Sequence, residues 1–502
     1  MKNIRFILSI FLVTAFSIQA WSQHQAFPMH TQYTGNHIKP SNYTQDELDN
    51  QTIAFYEKWK NSYLINGCEN NQYYVFFDSG NTLTVSEAMG YGMLITPLMA
   101  GYDPQAKTYF DGLYRFYKAH PSHINNRLMA WKQITGCVDA DGPDSATDGD
   151  IDIAFGLLLA HAQWGSWGAI NYFQEAVEMI NAIMEDDVHN EYFSVKLGDW
   201  VSSGGYARGT RTSDFIFDHF KVFQCATLDS NWTKVIDTTY YFANQMLENY
   251  SQETGLLPDF IEDVNTSPRP ADPNFLEGNN DGNYSYNACR DPWRLGTDYL
   301  INGDERALNI TKKINQWLWE NTGGQVNQVK SGYKLDGSYT ANWQDLSFMA
   351  PFTVGAMTDT THQEWLNDLY DKTLSMSFSG GGYYGNSLKL LSMIVISGNY
   401  WVPGCDIMNA VGQVTQANKK IFSLYPSQTS DFVHITFYHS AQQGKYQLKI
   451  FDTNGHIINQ SQIPSNDFEI NTSDFDSGIY IIKLSDEEDT SLQQTEKMII
   501  IH

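Results

Sequence analysis

An apolar helix that begins in a run of acids constrains this chain more than any other segment. Residues 146–164 read ATDGDIDIAFGLLLAHAQW, so Asp148, Asp150 and Asp152 stand at alternating positions and lead into an almost unbroken apolar stretch. A helix that is apolar on every side is covered on every side. Because a buried charge without a partner is costly, we expect these acids to be paired, hydrogen-bonded or functional.

Helical spacing of apolar residues continues over most of the chain, from about residue 51 to residue 400. Loops rich in Gly, Asn, Asp and Pro separate the helical segments. The predicted helices are 47–62, 87–100, 105–119, 149–164, 170–185, 214–227, 232–249, 289–300, 304–320, 345–357 and 362–373. Fully buried helices alternate with half-exposed ones, which favours two concentric layers in an α/α barrel; an irregular helical domain is also compatible with the periodicity.

The N-terminus has the pattern of a targeting segment. Lys2 and Arg5 precede an apolar run over residues 6–18, which predicts a signal peptide at residues 1–22. The run is short for a membrane anchor, and no later segment approaches ~18 uninterrupted apolar residues. We therefore expect an exported protein without membrane insertion.

The sequence pattern changes after about residue 406. Short alternating runs such as FVHITFY, YQLKIFD and GIYIIKLS predict a small all-β sandwich over residues 424–502. Residues 406–423 contain few large apolar side chains and are interpreted as a linker.

Charge and cysteine content narrow the possible ligands. The formal net charge is −26, which disfavours nucleic acid and anionic membranes and suits a neutral or cationic ligand. The five cysteines are dispersed and show no metal-binding spacing. We expect neither a metal nor a cofactor.

Glu87 is the first candidate for chemistry. It lies in TVSEAMGYGMLI, where Ser86 is a plausible N-cap and the glycines beside Glu87 leave room for a ligand. A glutamate in a tight, partly apolar site has a raised pKa and can donate a proton. The alternative is a first-turn glutamate favoured by the helix dipole.

The acids of TDGDID are the second candidate. Either one of them contacts a ligand, or one or two cap the helix. Calcium is a weaker alternative, because Pro143 and Ala146 occupy ligand positions of an EF-hand loop.

The third candidate is the segment over residues 272–300. It contains two loop acids, three aromatic rings and two arginines: Glu277, Asp281, Tyr284, Tyr286, Trp293, Arg290 and Arg294. Aromatic rings beside carboxylates suit a sugar, although such rings often belong to the core.

Four segments in a fixed order resemble glycoside hydrolase family 8 across residues 50–402. They are SEAMGYGM, ATDGDIDIA…AHAQW, YNACRDPWRLGTDY and GGYYGNSLKLLSMIV. The resemblance implies an (α/α)6 barrel over residues 23–405 with an acidic cleft. It also implies inverting hydrolysis of β-1,4-linked chains: cellulose, mixed-linkage glucan, chitosan or xylan.

The resemblance also assigns roles. It implies that Glu87 is the general acid and that Asp148 binds the central sugar and helps to position the attacking water. RGTRTSDF, with Arg211 and Asp214, resembles another cleft motif of the family. The residues predicted to contact substrate are Arg211, Asp214, Asn287 and Arg290, together with Tyr91, Trp131 and Trp293, which are chosen because they lie next to the motifs in sequence.

One position departs from the family pattern. Many members carry the catalytic base as an aspartate where this chain has Asn287, and an amide cannot take a proton from water. A subgroup that includes chitosanases and some β-glucanases also has asparagine there and carries a glutamate base in a preceding loop. We therefore predict Glu277 as the base, with Asp281 second and Glu262 and Asp263 more remote.

The C-terminal segment resembles the type IX secretion sorting domains of Bacteroidetes, which implies export through that machinery to the medium or the cell surface. A carbohydrate-binding module is the competitor, and the absence of tryptophan from residues 424–502 weakens it. The prediction is a secreted, monomeric, inverting endo-β-1,4-glycan hydrolase acting on chitosan or β-glucan. A xylanase and a catalytically degenerate glycan-binding protein are the alternatives.

Overall fold

The structure is a computed structural model that describes residues 25–405, except Asp78 and Asp141, and much of the C-terminal segment. The described C-terminal stretches are 422–425, 428–429, 431–437, 446–452, 456–463, 468–486 and 493–500. Residues up to Pro403 form one compact unit and those from Gly404 onward form another. The predicted signal peptide and most of the predicted linker lie outside the described residues.

Twelve α-helices make up the first unit, counted over its described residues. They are α1 (Gln45–Tyr63), α2 (Ser86–Leu98), α3 (Ala106–Ala119), α4 (Thr147–Trp164), α5 (Tyr172–Ala182), α6 (Phe217–Thr227), α7 (Asn231–Asn249), α8 (Asp291–Asn302), α9 (Glu305–Thr322), α10 (Leu346–Met357), α11 (Gln363–Ser375) and α12 (Phe378–Ile396). Eleven of them correspond to predicted segments, and α12 was not predicted. None of the helices in the described part of the chain is both long and apolar enough to cross a membrane.

The even-numbered helices form a closed inner ring. Each of α2, α4, α6, α8, α10 and α12 contacts the next, and α12 contacts α2. The odd-numbered helices pack outside this ring: α1 on α12, α3 on α2, α5 on α4, α7 on α6, α9 on α8 and α11 on α10. Burial follows the layers, because α4 is buried from Thr147 to Gln163 and α10 along its whole length. The first unit is therefore an (α/α)6 barrel, as predicted.

Short antiparallel strands connect the helices at the edge of the barrel. They are β1 (Leu64–Asn66), β2 (Tyr73–Val75), β3 (Thr82–Val85), β4 (Lys132–Ile134), β5 (Val138–Asp139), β6 (Thr210–Arg211), β7 (Phe260–Glu262) and β8 (Arg269–Pro270). They form three sheets, β1–β2, β3–β4–β5 and β6–β7–β8. A disulfide between Cys68 and Cys137 joins the β1–β2 turn to the β4–β5 turn.

Helices α2 and α4 approach each other unusually closely because glycines lie between them. A Cβ on Gly149 would lie 2.6 Å from the backbone carbon of Ser86, and one on Gly90 would lie 2.7 Å from Cβ of Asp152. The interpretation that the α2 glycines leave room for a ligand is therefore wrong for Gly90, whose space is filled by α4. Ser86 is the first residue of α2 rather than its cap, and the N-cap position falls on Val85 without a side-chain hydrogen bond.

The second unit is a small β-sandwich. Its strands are β9 (Phe422–Tyr425), β10 (Gln428–Thr429), β11 (Phe432–Phe437), β12 (Tyr446–Phe451), β13 (Ile457–Ile463), β14 (Phe468–Asn471), β15 (Gly478–Asp486) and β16 (Gln493–Ile500). They form a five-stranded sheet in the order β10–β16–β15–β12–β13 and a three-stranded sheet in the order β14–β11–β9. Alternate residues of both sheets, including Val433, Ile435, Ile482 and Leu484, share one apolar core.

Candidate active site

A cavity of about 520 Å³ opens where the N-terminal ends of α2 and α4 meet. Its walls contain Phe77, Val85, Ser86, Glu87, Trp131, Ala146, Asp148, Arg211, Glu277, Tyr286, Asn287, Tyr383 and Tyr384. A second cavity of about 580 Å³ shares Trp131, Ala146, Arg211 and Glu277 with the first and adds Trp200. The two cavities form one elongated cleft, a shape suited to an extended ligand.

Arg290 holds the acids of the cleft from behind its wall. Its side chain is 1% exposed, and Nη1 donates to Oε2 of Glu87 at 2.8 Å and to Oδ2 of Asp148 at 2.9 Å. Nη2 donates to Oγ of Ser213 at 2.7 Å and to Oδ1 of Asn287 at 2.8 Å. A buried guanidinium with carboxyl acceptors on one arm and neutral acceptors on the other fixes the positions of all these partners.

Glu87 is held in a setting that favours its protonated form. Its second oxygen, Oε1, accepts a hydrogen bond from the Tyr383 hydroxyl at 2.6 Å. Burial raises the pKa of Glu87, the Arg290 charge opposes this, and the nearby Asp148 charge adds to the increase. The net direction is upward, so Glu87 keeps its proton at a pH where an exposed glutamate has lost it.

Asp148 experiences the opposite balance. Burial acts to raise its pKa, but the Arg211 and Arg290 guanidiniums outweigh burial and hold the pKa of Asp148 below its ordinary value. Nη1 of Arg211 lies 3.3 Å from Oδ2 of Asp148, and the backbone N–H of Gly149 donates to Oδ1 at 2.9 Å. Two neighbouring carboxyls with pKa values pushed apart are an arrangement typical of acid–base sites.

Glu277 faces the same cleft from a loop. Its Oε2 accepts a hydrogen bond from Nδ2 of Asn287 at 2.9 Å, and its Oε1 lies 3.6 Å from Nη2 of Arg211. The side chain is 51% exposed. Asp281, the second candidate, is buried and accepts the backbone N–H groups of residues 276–278 at 2.7–3.0 Å, so it fixes the loop that carries Glu277.

Of the residues predicted to contact substrate, Trp131, Arg211 and Asn287 line the cleft, whereas Tyr91 and Trp293 do not. Tyr91 and Trp293 are 0% and 2% exposed, and Tyr91 accepts a hydrogen bond from Nη1 of Arg290. The prediction that these two rings contact substrate is wrong, because each lies about one helical turn deeper in the barrel than the acid or arginine beside it in sequence.

Asp214 also lies beneath the cleft wall. It is 0% exposed, and its Oδ1 is 3.9 Å from Nη1 of Arg211. Burial, offset in part by Arg211, raises the pKa of Asp214 to about 7. It supports Arg211 and does not line either cavity.

Two of the three acids of TDGDID belong to the core. Asp152 pairs with Nη2 of Arg294 at 2.6 Å and with Nε2 of His219 at 3.2 Å. Asp150 accepts the backbone N–H of Met129 at 3.0 Å. Of the three, only Asp148 lines the cleft.

Four aromatic residues of the cleft were not singled out from the sequence. They are Phe77, Trp200, Tyr383 and Tyr384. Tyr286, one of the rings of the third candidate segment, also lines the cleft. The two tyrosines of α12 stand inside a segment that carries the family resemblance, which was the available signal. Nothing local to Phe77 or Trp200 distinguishes them from core aromatics in the sequence.

Comparisons with known proteins identify the family of the chain. Residues 45–398 match the model of the glycosyl hydrolases family 8, and residues 423–501 match that of the secretion system C-terminal sorting domain. The chain is 49% identical to a β-glucanase of Niallia circulans over 391 residues, covering 78% of this chain and 95% of that protein. It is 38% identical to an endoglucanase of Bacillus sp. strain KSM-330, covering 75% of this chain and 82% of that protein.

A solved structure has a similar fold. The β-1,3-1,4-glucanase of Paenibacillus sp. X4 superposes with a TM-score of 0.74 at 50% identity, over 76% of this chain and all of that one. The sorting domain shows that the protein is exported, to the medium or to the cell surface. The match to the family model and the identity to these relatives show that the chain is a glycoside hydrolase and belongs to glycoside hydrolase family 8.

Proposed function

We propose that this protein is a monomeric endo-β-glucanase that cleaves β-1,4 linkages in mixed-linkage or cellulose-type glucan with inversion, using Glu87 as general acid and Glu277 as general base. One observation carries the proposal: Glu87 and Glu277 lie in one cleft and are joined through Arg290 and Asn287. One carboxyl is largely covered and the other is half-exposed.

Glu87 has the properties required of the proton donor. Burial keeps its proton in place, and its contacts with Arg290 and Tyr383 fix the carboxyl in the cleft wall. In the reaction it gives that proton to the glycosidic oxygen as the bond to the anomeric carbon breaks. The leaving sugar departs as an alcohol and Glu87 becomes a carboxylate.

Glu277 has the properties required of the base. Its exposed carboxylate can reach a water molecule, and the Asn287 amide at 2.9 Å orients it. As water attacks the anomeric carbon from the face opposite the leaving group, Glu277 takes the proton that the water loses. Inverting enzymes hold their two carboxyls roughly 6.5–9.5 Å apart so that this water fits.

Asp148 supports both steps as a carboxylate. Its lowered pKa keeps it charged beside the developing positive charge of the sugar ring, and two arginines prevent it from moving. A fixed negative charge at that position stabilises an oxocarbenium-like transition state more than the ground state.

The choice of β-glucan ahead of chitosan rests on two observations. The relatives at 38–50% identity are named as glucanases. In addition, the Arg211 side chain lines both cavities, so protonated amines of chitosan would meet a guanidinium as well as the acids.

The test uses purified full-length protein with lichenan, barley β-glucan, carboxymethylcellulose, chitosan and xylan, and follows the anomeric protons of the first products by NMR. We expect rapid release of α-anomers from the mixed-linkage glucans and little or no cleavage of chitosan. Release of β-anomers would overturn the inverting mechanism. Cleavage of chitosan or xylan in preference to glucan would overturn the substrate assignment.

A further inference from the structure

A hairpin with exposed aromatic rings lies beside Tyr286, a residue of the cleft wall. It spans residues 330–344, where the backbone N–H of Ser331 donates to the carbonyl of Trp343 at 3.1 Å. Trp343 is 56% exposed and Tyr339, on the same hairpin, is 61% exposed. Large aromatic surfaces left in water at the end of a binding cleft call for an explanation.

The hairpin is anchored firmly to the barrel. Its Tyr333 is 1% exposed, exchanges two backbone hydrogen bonds of 2.9 Å with Tyr284, and packs edge-on against Trp317 at 5.0 Å. Nε2 of Gln344 donates to the carbonyls of Val326 and Val329 at 2.7 and 3.1 Å. The exposed rings therefore stand on a fixed support, so little ordering is needed when a ligand binds.

Trp343 is joined directly to the cleft. Its Nε1 donates to the hydroxyl of Tyr286 at 3.4 Å, and that hydroxyl donates to Oδ2 of Asp345 at 3.1 Å. Tyr286 lines the first cavity but not the second. Trp343 thus adjoins the first cavity on the side that Tyr286 lines.

We propose that Trp343, beside Tyr286, forms an additional sugar-binding site for the part of a β-glucan chain that protrudes from the cleft. The inference rests on the proposed function. An indole face offers an apolar surface to the C–H face of a sugar ring while its N–H stays hydrogen-bonded. Continuity with the cleft favours the substrate chain itself as the occupant over a second protein.

Such a site has a distinctive kinetic signature. A short oligosaccharide that fills only the cavities does not reach Trp343, whereas a polymer does. Binding energy from this remote contact stabilises the transition state of long chains and leaves short ones unaffected. The proposal therefore predicts a chain-length dependence rather than a uniform effect.

The test compares Trp343→Ala with Trp167→Ala in the full chain. Trp167 is 78% exposed and lies just beyond Trp164, the last residue of α4, which is about 24 Å along the helix from Asp148, so it provides a matched control. We expect Trp343→Ala to lower kcat/KM on barley β-glucan about tenfold, the equivalent of about 1.4 kcal/mol. On the shortest gluco-oligosaccharide that is cleaved we expect no change, and Trp167→Ala should match wild type throughout.

Binding is measured separately by affinity electrophoresis in gels containing barley β-glucan, with each tryptophan substitution combined with Glu87→Gln. Reduced retardation for Trp343→Ala alone supports the site without relying on turnover. Equal kinetic losses on all chain lengths, or no loss on any, would overturn it. So would light scattering that shows Trp343→Ala dissociating a dimer. A wild type that is retarded but cleaves no glucan would overturn the proposed function, not this site.

Discussion

Glu87 and Asp148 accept hydrogen bonds from the same atom, Nη1 of Arg290, at 2.8 and 2.9 Å, yet their pKa values move in opposite directions. The difference comes from their other neighbours. Asp148 has a second guanidinium, that of Arg211, at 3.3 Å, whereas Glu87 has the neutral hydroxyl of Tyr383. One arginine thus holds a carboxyl with a raised pKa and a carboxyl with a lowered pKa side by side.

Replacing Glu87 by Gln removes the proposed proton donor while both hydrogen-bonding neighbours keep a partner. We expect kcat on β-glucan to fall by about 10²–10⁴-fold, the usual contribution of general acid catalysis. The rate of hydrolysis of an aryl β-cellobioside with an acidic leaving group should fall much less, because that leaving group needs little protonation to depart. Circular dichroism and the melting temperature should stay close to wild type. Full activity on β-glucan would show that another group is the acid.

Replacing Glu277 by Gln tests the base, with Glu262→Gln as the matched control. Glu262 is a nearby acid that pairs with Arg269 at 3.5 Å and lines neither cavity. We expect about 10²–10⁴-fold loss of kcat for Glu277→Gln and near wild-type activity for the control. Added azide, a nucleophile that needs no deprotonation, should restore turnover of Glu277→Gln and yield an α-glycosyl azide. The reverse ranking of the two variants would remove Glu277 from the mechanism.

The charge of Asp148 should be visible in the pH profile. That charge raises the pKa of Glu87, so Asp148→Asn lowers it, and the protonated acid is lost at a lower pH. The alkaline limb of kcat/KM should therefore move toward lower pH, in addition to any fall in rate. The measurement is the pH dependence of kcat/KM for wild type and variant on lichenan. A fall in rate with an unmoved alkaline limb would contradict the electrostatic coupling.

A buried acid pair beneath the cleft should make stability depend on pH. Burial first, and then the neighbouring carboxylates, raise the pKa values of Asp150 and Asp187 well above their ordinary range. One oxygen of each accepts no hydrogen bond from the described residues. Because the folded-state pKa values are raised, the pair's contribution is fully present below the unfolded pKa, about 3.9, and is lost as pH rises through the folded values.

Asp187→Asn puts a permanent N–H donor beside Asp150 and removes one of the two titrations. We expect the melting temperature of the variant to rise relative to that of wild type as the pH increases from 5 to 8. Thermal unfolding in a series of buffers measures it. A constant difference across that range would show that the pKa of Asp187 is not raised in the folded protein.

The barrel was largely predictable from the sequence because apolar spacing reports burial directly. The helix that escaped prediction, α12, begins near Gly380, Gly381 and Gly382, and Gly382 has φ of 55° and ψ of −172° inside the helical segment. Such glycines are typical of a loop, so local propensity opposed a helix that tertiary packing imposes. Its first turns nevertheless supply Tyr383 and Tyr384 to the cleft.

Residues at helix N-termini that are marked by a motif could be placed in the cleft from the sequence. Residues one helical turn further along the same helices could not. Glu87 and Asp148 stand at the starts of α2 and α4, and the structure brings them to one cavity. Tyr91 and Trp293 were chosen by nearness in sequence, but three or four residues along an inner helix lead into the core. A single sequence does not show how deep along the barrel axis a residue lies. It also does not show which residues contact Arg290, because they come from distant stretches of the chain.

Gly149 tests how closely α2 and α4 must pack for the two acids to work together. A Cβ at this position would lie 2.4 Å from Oγ of Ser86 and 2.6 Å from its backbone carbon, so Gly149→Ala forces the helices apart beside Glu87 and Asp148. We expect a loss of about 1–3 kcal/mol in the free energy of unfolding, as for other overpacked cores. Because the displacement separates the acids that share Arg290, kcat should fall more than KM rises. Gly168→Ala is the control, since a Cβ there meets nothing within 4 Å, and it should leave stability and activity unchanged. Chemical denaturation and steady-state kinetics on lichenan measure both effects. Wild-type stability and kcat in Gly149→Ala would show that the close contact of the two helices does not set the geometry of the site.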